Sequence, residues 1–196
     1  MNIERFDLRD IAAQPWKNGA GVTREIARGG IDAEQFDWRI SLADVDRDAP
    51  FSAFPGIDRC IVLLQGSGMV LKSTDGSIDH ALVGRLQPFH FAGDVPLDAR
   101  LVDGPSRDFN VMVRRGVLRS EVACVTREAP IDPAHITLLM AVDGEWVVES
   151  EGEPQRLEPS QALLWREPPT SIKAWPAFLR TASSLLVVRL CHDAAP

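Results

Sequence analysis

The sequence predicts an all-β protein of antiparallel strands, arranged as two similar modules in one chain. Three observations lead there. Short β-rich runs with period-two alternation are many and helix signals are poor. Two hairpins of the same kind recur, CIVLLQGSGMVLKS (60–73) and HITLLMAVDGEWVVES (135–150). Prolines fall mostly between the runs, as sheet edges and loops require.

In chain order, VTREIA (22–27) sets Thr23 and Glu25 on one face and Val22, Arg24 and Ile26 on the other. FDWRISLADV (36–45) places Phe36, Trp38, Ile40 and Leu42 opposite Asp37, Arg39, Ser41 and Ala43, the pattern of a half-buried strand. The first hairpin turns at Gly66-Ser67-Gly68 and the second at Asp143-Gly144. DFNVMVRR (108–115) sets Phe109, Val111 and Val113 against Asp108, Asn110, Met112 and Arg114. Strands are expected at roughly 22–27, 36–45, 60–65, 69–73, 108–114, 136–142, 145–150 and 184–191.

The hairpins head matching series. The first leads to Arg85-Leu86-Gln87-Pro88 and an apolar run at 89–92; the second leads to Arg156-Leu157-Glu158-Pro159 and a run at 162–165. Each run reaches proline, then a strand-like segment, LDARLV or SIKAW, then a β-branched strand, DFNVMVRR or SLLVVRLC. This order reads as a duplicated β-module, 1–115 and 116–196, whose faces pair into a sandwich or barrel. Unusual polar residues concentrate in the first module, which is expected to carry the function. The second, rich in Leu, Val, Trp and Pro, is expected to be structural.

Composition bounds the functions available. With 196 residues, 45% of them hydrophobic and 25% charged, the chain can bury a core of useful size. Its net charge of −7 argues against direct nucleic-acid binding or attachment to an anionic membrane. The start MNIERFDLRDIAAQ has no signal-peptide pattern, and no apolar run is long enough to span a bilayer. Cys60, Cys124 and Cys191 lie far apart without a CxxC motif, and read as reduced, buried thiols of a cytoplasmic protein.

Most chemical motifs fail on spacing. In PWKNGAGVTREIA (15–27), GxGxxG would need glycine where Arg24 stands, and Lys17 precedes Gly19 where a Walker lysine must follow the second glycine. His80, His90, His135 and His192 form no ligand spacing, so neither metal nor cofactor is expected. No GxSxG elbow occurs. What survives is a set of polar strand faces: Thr23 with Glu25, Arg39 with Ser41, and Asp108 with Asn110. They could line a polar cavity or form a solvated outer face, and periodicity favours neither. FSAFPGIDR (51–59) adds Phe51, Phe54 and Arg59, suited to a pocket mouth or to a core plug.

PWKNGAGVTREI, WRISLADVDRDAPFSAFPGIDRCIVLLQGSGM and DFNVMVRRG together resemble the HutD/Ves family of bacterial proteins, over roughly residues 15–115. The resemblance implies a cupin-like (RmlC-type) bicupin, two β-barrel modules in one chain, and a link to histidine utilisation through modulation rather than a known catalytic step. The family turn often reads KNGGG; Ala20 takes the middle position here, tolerable if residue 20 needs no positive φ. On this reading Lys17 and Asn18 stand at the barrel mouth. Trp16, Thr23, Glu25, Arg39, Ser41, Phe51, Phe54, Arg59, Asp108 and Asn110 converge with them on one metal-free pocket. The ligand would be a small carboxylate such as urocanate or formylglutamate, with Arg59 as its partner. The alternative is a metal-independent isomerase or hydrolase acting on such an acid, with Glu25 or Asp108 as base. A homodimer through an exposed sheet is also expected.

Overall fold

The computed structural model describes residues 3–30, 35–178 and 182–193. Within them every regular element is a β-strand, the strands pair in antiparallel sheets, such as Ile3–Asp7 with Gln161–Trp165, Phe36–Val45 with Ser106–Arg114 and Ile136–Asp143 with Ser184–His192, and there is no helix. The chain divides into two compact units.

One unit comprises Ile11–Arg119. Its larger sheet has the order β2 (Gln14–Pro15), β3 (Gly21–Gly30), β4 (Phe36–Val45), β11 (Ser106–Arg114), β6 (Ile57–Gln65) and β9 (Pro88–Ala92). The smaller runs β5 (Ala49–Phe51), β10 (Leu97–Leu101), β7 (Met69–Ser73) and β8 (Asp79–Leu82). Ala43, Val45, Ile61, Leu63 and Phe91 of the larger sheet meet Phe51, Met69, Leu71, Leu82, Leu97 and Ala99 of the smaller in one core cluster. The opposite face of the larger sheet is buried as well, at Ile40, Leu42, Cys60, Val62, Phe109 and Val111. Burial on both sides explains why CIVLL runs apolar without alternating.

The other unit comprises Ser120–His192 with the N-terminal residues through Asp10. Its larger sheet runs β1 (Ile3–Asp7), β17 (Gln161–Trp165), β14 (Ile136–Asp143), β19 (Ser184–His192) and β12 (Leu118–Val125), the last beginning just before the unit. The smaller runs β13 (Ala129–Ile131), β18 (Ile172–Pro176), β15 (Trp146–Glu149) and β16 (Gln155–Leu157). Leu139, Leu163, Trp165 and Val187 pack against Trp146, Val148, Leu157 and Ile172. The sequence reading kept residues 1–10 with the first module. β1 instead pairs with β17, Ile3 opposite Trp165, and Ile3 packs on this second core.

The strand pairs expected at each hairpin turn fall into different sheets. β6 lies in the six-stranded sheet while β7, across Gly66-Ser67-Gly68, pairs with β10 and β8; β14 and β15 part in the same way. Glycine permits the crossing at Gly68, where an added Cβ would lie 1.9 Å from the Leu82 carbonyl oxygen.

Candidate functional site

Register decides which side chains share a surface. Across β3, β4, β11 and β6, Glu25 stands opposite Ser41, Ser41 opposite Asn110, and Asn110 opposite Ile61. One row along, Arg39 pairs with Met112, Met112 with Arg59, and Arg59 with Phe91 of β9. One row the other way, Thr23, Ala43, Asp108 and Leu63 align. Because Ala43, Ile61, Leu63 and Phe91 belong to the core cluster, this is the inner face of the sheet. Ser41, Arg59, Asp108 and Asn110 are buried. The polar strand faces are therefore interior, not a solvated outer surface.

β3 carries a bulge between Glu25 and Ala27, so Ile26 has no opposite residue. The alternation resumes one residue later and brings Arg28 beside Arg39. Glu25 then meets two cations: Arg39 Nε lies 2.8 Å from its Oε2, and Arg28 Nε 3.3 Å from its Oε1.

Arg59 dominates the electrostatics. It is 6% exposed, and its Nη2 donates to Asn110 Oδ1 at 3.1 Å. The guanidinium carbon lies 5.6, 5.5 and 5.0 Å from the ring centroids of Phe51, Phe54 and Phe91. Its Nε has no hydrogen-bond partner, and no carboxylate among the described residues forms an ion pair with it. Burial, and then the like charge of Arg39, lower its pKa to about 10. Ring faces stabilise such a cation, but a buried charge is ordinarily matched by an opposite one.

Asp108 is fully buried and accepts from Ser106 Oγ at 3.0 and 3.2 Å. Burial raises its carboxyl to about 7; the Ser106 hydrogen bond opposes the rise and the charge of Asp44 adds to it.

The PWKN turn is held by its own backbone. Gly19 N–H donates to the Trp16 carbonyl and Trp16 N–H to that of Gly21, both at 2.9 Å. Asn18 Oδ1 accepts from Ala20 N–H at 3.0 Å, an Asx turn. Gly19 has φ 66°, and a Cβ on Gly21 would lie 2.3 Å from the Asp44 carbonyl oxygen. Ala20 is not among the residues of positive φ, so alanine fits between the two glycines. Trp16 Nε1 donates to Thr23 Oγ1 at 2.7 Å, and its ring meets that of Phe51 edge-on.

Of the residues singled out from sequence, the structure thus gathers Thr23, Glu25, Arg39, Ser41, Arg59, Asp108 and Asn110 on one face, with Phe51 and Phe54 against Arg59 and Trp16 beside them. Lys17 and Asn18 stand exposed, Asn18 committed to its turn. Met112 lies on this face as its alternation with Asp108 and Asn110 predicts; Arg28 and Phe91 were not anticipated there. Two surface depressions flank the unit. The larger, about 390 Å³, is lined by Val22, Asp44, Asp46, Gln65 and Arg107, and Val22, Asp44 and Arg107 belong to the opposite face of the sheet from Arg59. The smaller, about 180 Å³, is lined by Phe36, Phe54, Ile57 and Arg114 and shares Phe54 with the Arg59 site. The smaller one is relevant to Arg59.

Among the described residues no group of three or more His, Cys, Asp or Glu is placed to hold a metal ion. The cysteines are free, but only Cys60 is buried; Cys124 and Cys191 are half-buried, each on an edge or near the end of a strand where one flank reaches solvent. No helix among the described residues is long and apolar enough to cross a membrane.

Paired antiparallel sheets around a polar inner face define an all-β protein of cupin-like fold. In fold it is similar to the cupin 2 conserved barrel domain protein from Leptotrichia buccalis, with a TM-score of 0.59 at 12% identity over 95% of this chain and 96% of that one. The HutD family model matches residues 8–181, and the chain belongs to the HutD family. It is 32% identical to HutD from Pseudomonas fluorescens SBW25 (formate condition), with a TM-score of 0.82 over 98% of this chain and 100% of that one. A conserved protein of unknown function from Pseudomonas aeruginosa PAO1 is 29% identical, with a TM-score of 0.86 over 97% of this chain and all of that one.

Proposed function

We propose that the protein is a cytoplasmic bicupin that binds a small carboxylate-bearing metabolite in its first module, without metal, and thereby modulates histidine utilisation. One observation carries this reading: Arg59 is a buried guanidinium with an unpartnered Nε and no carboxylate of its own. A ligand carboxylate would supply the missing counter-charge and accept from the fork, while Asn110 holds the fork in orientation. Phe51, Phe54 and Phe91 exclude water from that pair, and the 180 Å³ depression beyond Phe54 has room for the rest of a small acid. The link to histidine utilisation rests on the family's name and points to urocanate or formylglutamate as the acids to try.

Asp108 favours a second reading. A fully buried carboxyl raised to about 7 is poised for proton transfer near neutrality, as a metal-independent isomerase or hydrolase would need. Calorimetry with urocanate and with formylglutamate, followed by NMR of the same samples, separates the two. Binding with the acid recovered intact supports the first reading, conversion supports the second, and no heat with either acid removes the stated ligands. Light scattering tests the homodimer expected through an exposed sheet.

A further inference from the structure

Among the described residues three buried side-chain polar atoms lack a hydrogen-bond partner: Arg59 Nε, Trp165 Nε1 and Arg189 Nε. Their positions are related. In the first unit the strand order β9-β6-β11-β4 carries the row Phe91, Arg59, Met112, Arg39. In the second unit the order β17-β14-β19 sets Trp165, Thr137 and Arg189 in one row, and Arg189 Nη1 reaches Glu121 of β12 at 2.6 Å. β6 and β14 each open one of the two matching hairpin series. Each is flanked by the strand of the following apolar run, β9 or β17, and by the closing strand of the series, β11 or β19. Thr137 therefore occupies the place of Arg59, Trp165 that of Phe91, and Arg189 that of Met112. All three orphan donors fall in this one row of the two sheets.

We infer that the second unit holds a ligand site of its own in the Trp165–Thr137–Arg189 row, and that it takes a small neutral molecule presenting acceptor oxygen, such as a carboxamide or ketone. Both orphans are N–H groups, which only donate, so the ligand must accept. Trp165 is 1% exposed, and its leucine neighbours on the inner face offer its indole N–H nothing. Thr137 already bonds the backbone of Ala134 through its hydroxyl, and its small side chain stands between two long ones where the first unit has an arginine. The strands carrying Trp165 and Arg189 flank that of Thr137, two strand spacings or about 10 Å apart at the backbone, and both side chains are long enough to direct their N–H groups to one acceptor over the short Thr137. The charge of Arg189 is balanced by Glu121, so an anion entering this row would be a surplus charge beside a carboxylate. Arg59 has no such balance. The two sites thus make opposite electrostatic demands, and the second does not depend on the function proposed for the first.

The test uses acetamide and acetate, which share a shape and differ in charge, with ¹⁵N-labelled full-length protein. The indole N–H signal of Trp165, assigned by its loss in Trp165→Phe, should move with acetamide, with a dissociation constant in the millimolar range set by so few atoms. Acetate should move it at least tenfold less readily. Arg189→Lys keeps the charge facing Glu121 but lacks the Nε–H, and should weaken the acetamide response about tenfold, the loss of one hydrogen bond. Arg59→Met should leave the response intact. No movement with acetamide, an equal response to acetate, an unaltered response in Arg189→Lys, or a response that vanishes in Arg59→Met each overturns the inference. If Trp165→Phe does not fold, sequential resonance assignment of the wild-type protein identifies the same signal.

Discussion

Replacing Arg59 by methionine should leave the ligand-free protein nearly as stable as the wild type while removing carboxylate binding. Lowering the guanidinium pKa from 12.5 to about 10 corresponds to about 3 kcal/mol by which folding disfavours the charged form. The sign follows from linkage. A cation whose folded pKa is depressed destabilises the fold fully below about pH 10, and the effect is relieved as pH rises from there to 12.5. Against that relief, methionine forfeits three ring-face contacts worth about 2 kcal/mol together. It also leaves Asn110 Oδ1 without its donor, about 1 kcal/mol. The net change is close to zero, within about 1 kcal/mol, or a few degrees in Tm for a chain of this size. Binding behaves otherwise. Truncating one partner of a desolvated charge pair costs about 2–5 kcal/mol, a loss of about thirtyfold to several thousandfold. Calorimetric unfolding with and without urocanate or formylglutamate reads both quantities, with Arg119→Ala as a control that should bind as wild type. If Arg59→Met lost more than about 3 kcal/mol without ligand yet was still stabilised by the acid, Arg59 would be a structural cation of its aromatic box and the carboxylate assignment would fail.

Asp108→Asn should flatten the pH dependence of stability. A carboxyl whose folded value is about 7 against an ordinary 3.8 favours folding less as pH rises between those values, so wild-type stability should fall across that window by up to about 4 kcal/mol and the variant's should not. Chemical denaturation from pH 4 to 8 reads this, and parallel curves would show that Asp108 titrates normally. Glu25→Gln removes the carboxylate shared by Arg39 and Arg28, and should tighten acid binding a few-fold through the half-exposed cations; weaker binding would mean that Glu25 itself contacts the ligand. Gly21→Ala should destabilise by about 1–3 kcal/mol, since its Cβ would strike the Asp44 carbonyl rather than a mobile side chain. Equal denaturation midpoints for Gly21→Ala and wild type would place the KNGAG constraint elsewhere.

The long strands were readable because each shows a period. FDWRISLADV alternates from Phe36 through Leu42, and β4 runs Phe36–Val45 as expected. The strands β2, β5, β13 and β16 are two or three residues long, too short to show any period, and they form at sheet edges or against a partner distant in sequence. β12, LRSEVACV, is an edge strand of mixed burial whose exposed and half-exposed positions blur the alternation. The pairing of β1 with β17 joins Ile3 to Trp165 across most of the chain, and no local pattern encodes a contact of that range. HITLLMAVDGEWVVES reads as a plain hairpin although its two arms lie in different sheets, because turn chemistry sets the reversal and not the partner.

Period two tells which side chains share a face but not which face is inside. Ile40 and Ser41 are adjacent, point to opposite sides, and are both buried, so hydrophobicity alone would send Ser41, Arg39 and Asn110 to solvent. What decides their side is the register with Ile61, Leu63 and Phe91, which belongs to tertiary structure. The bulge at Ile26 adds one residue to β3 and brings the exposed Arg28 to the side of Glu25 and Arg39, a displacement that no alternation rule anticipates. A sequence that keeps Arg59 and Asp108 in a core forgoes the stability that apolar residues would give there. The same holds for the buried indole and guanidinium donors of the second unit, in a chain half of whose modules looked purely structural. Sheets need none of these groups for their ladders, which backbone groups complete by themselves. The common feature of the two rows is therefore not a folding requirement. It is a set of donors, charge-unbalanced at Arg59 and charge-balanced at Arg189, left at corresponding points of two sheets. Swapping those demands should expose them: Thr137→Arg would bury a cation beside the half-buried Arg189 and destabilise the protein by several kcal/mol, whereas Thr137→Val, which removes the hydroxyl's two bonds to the Ala134 backbone, should cost about 1–3 kcal/mol.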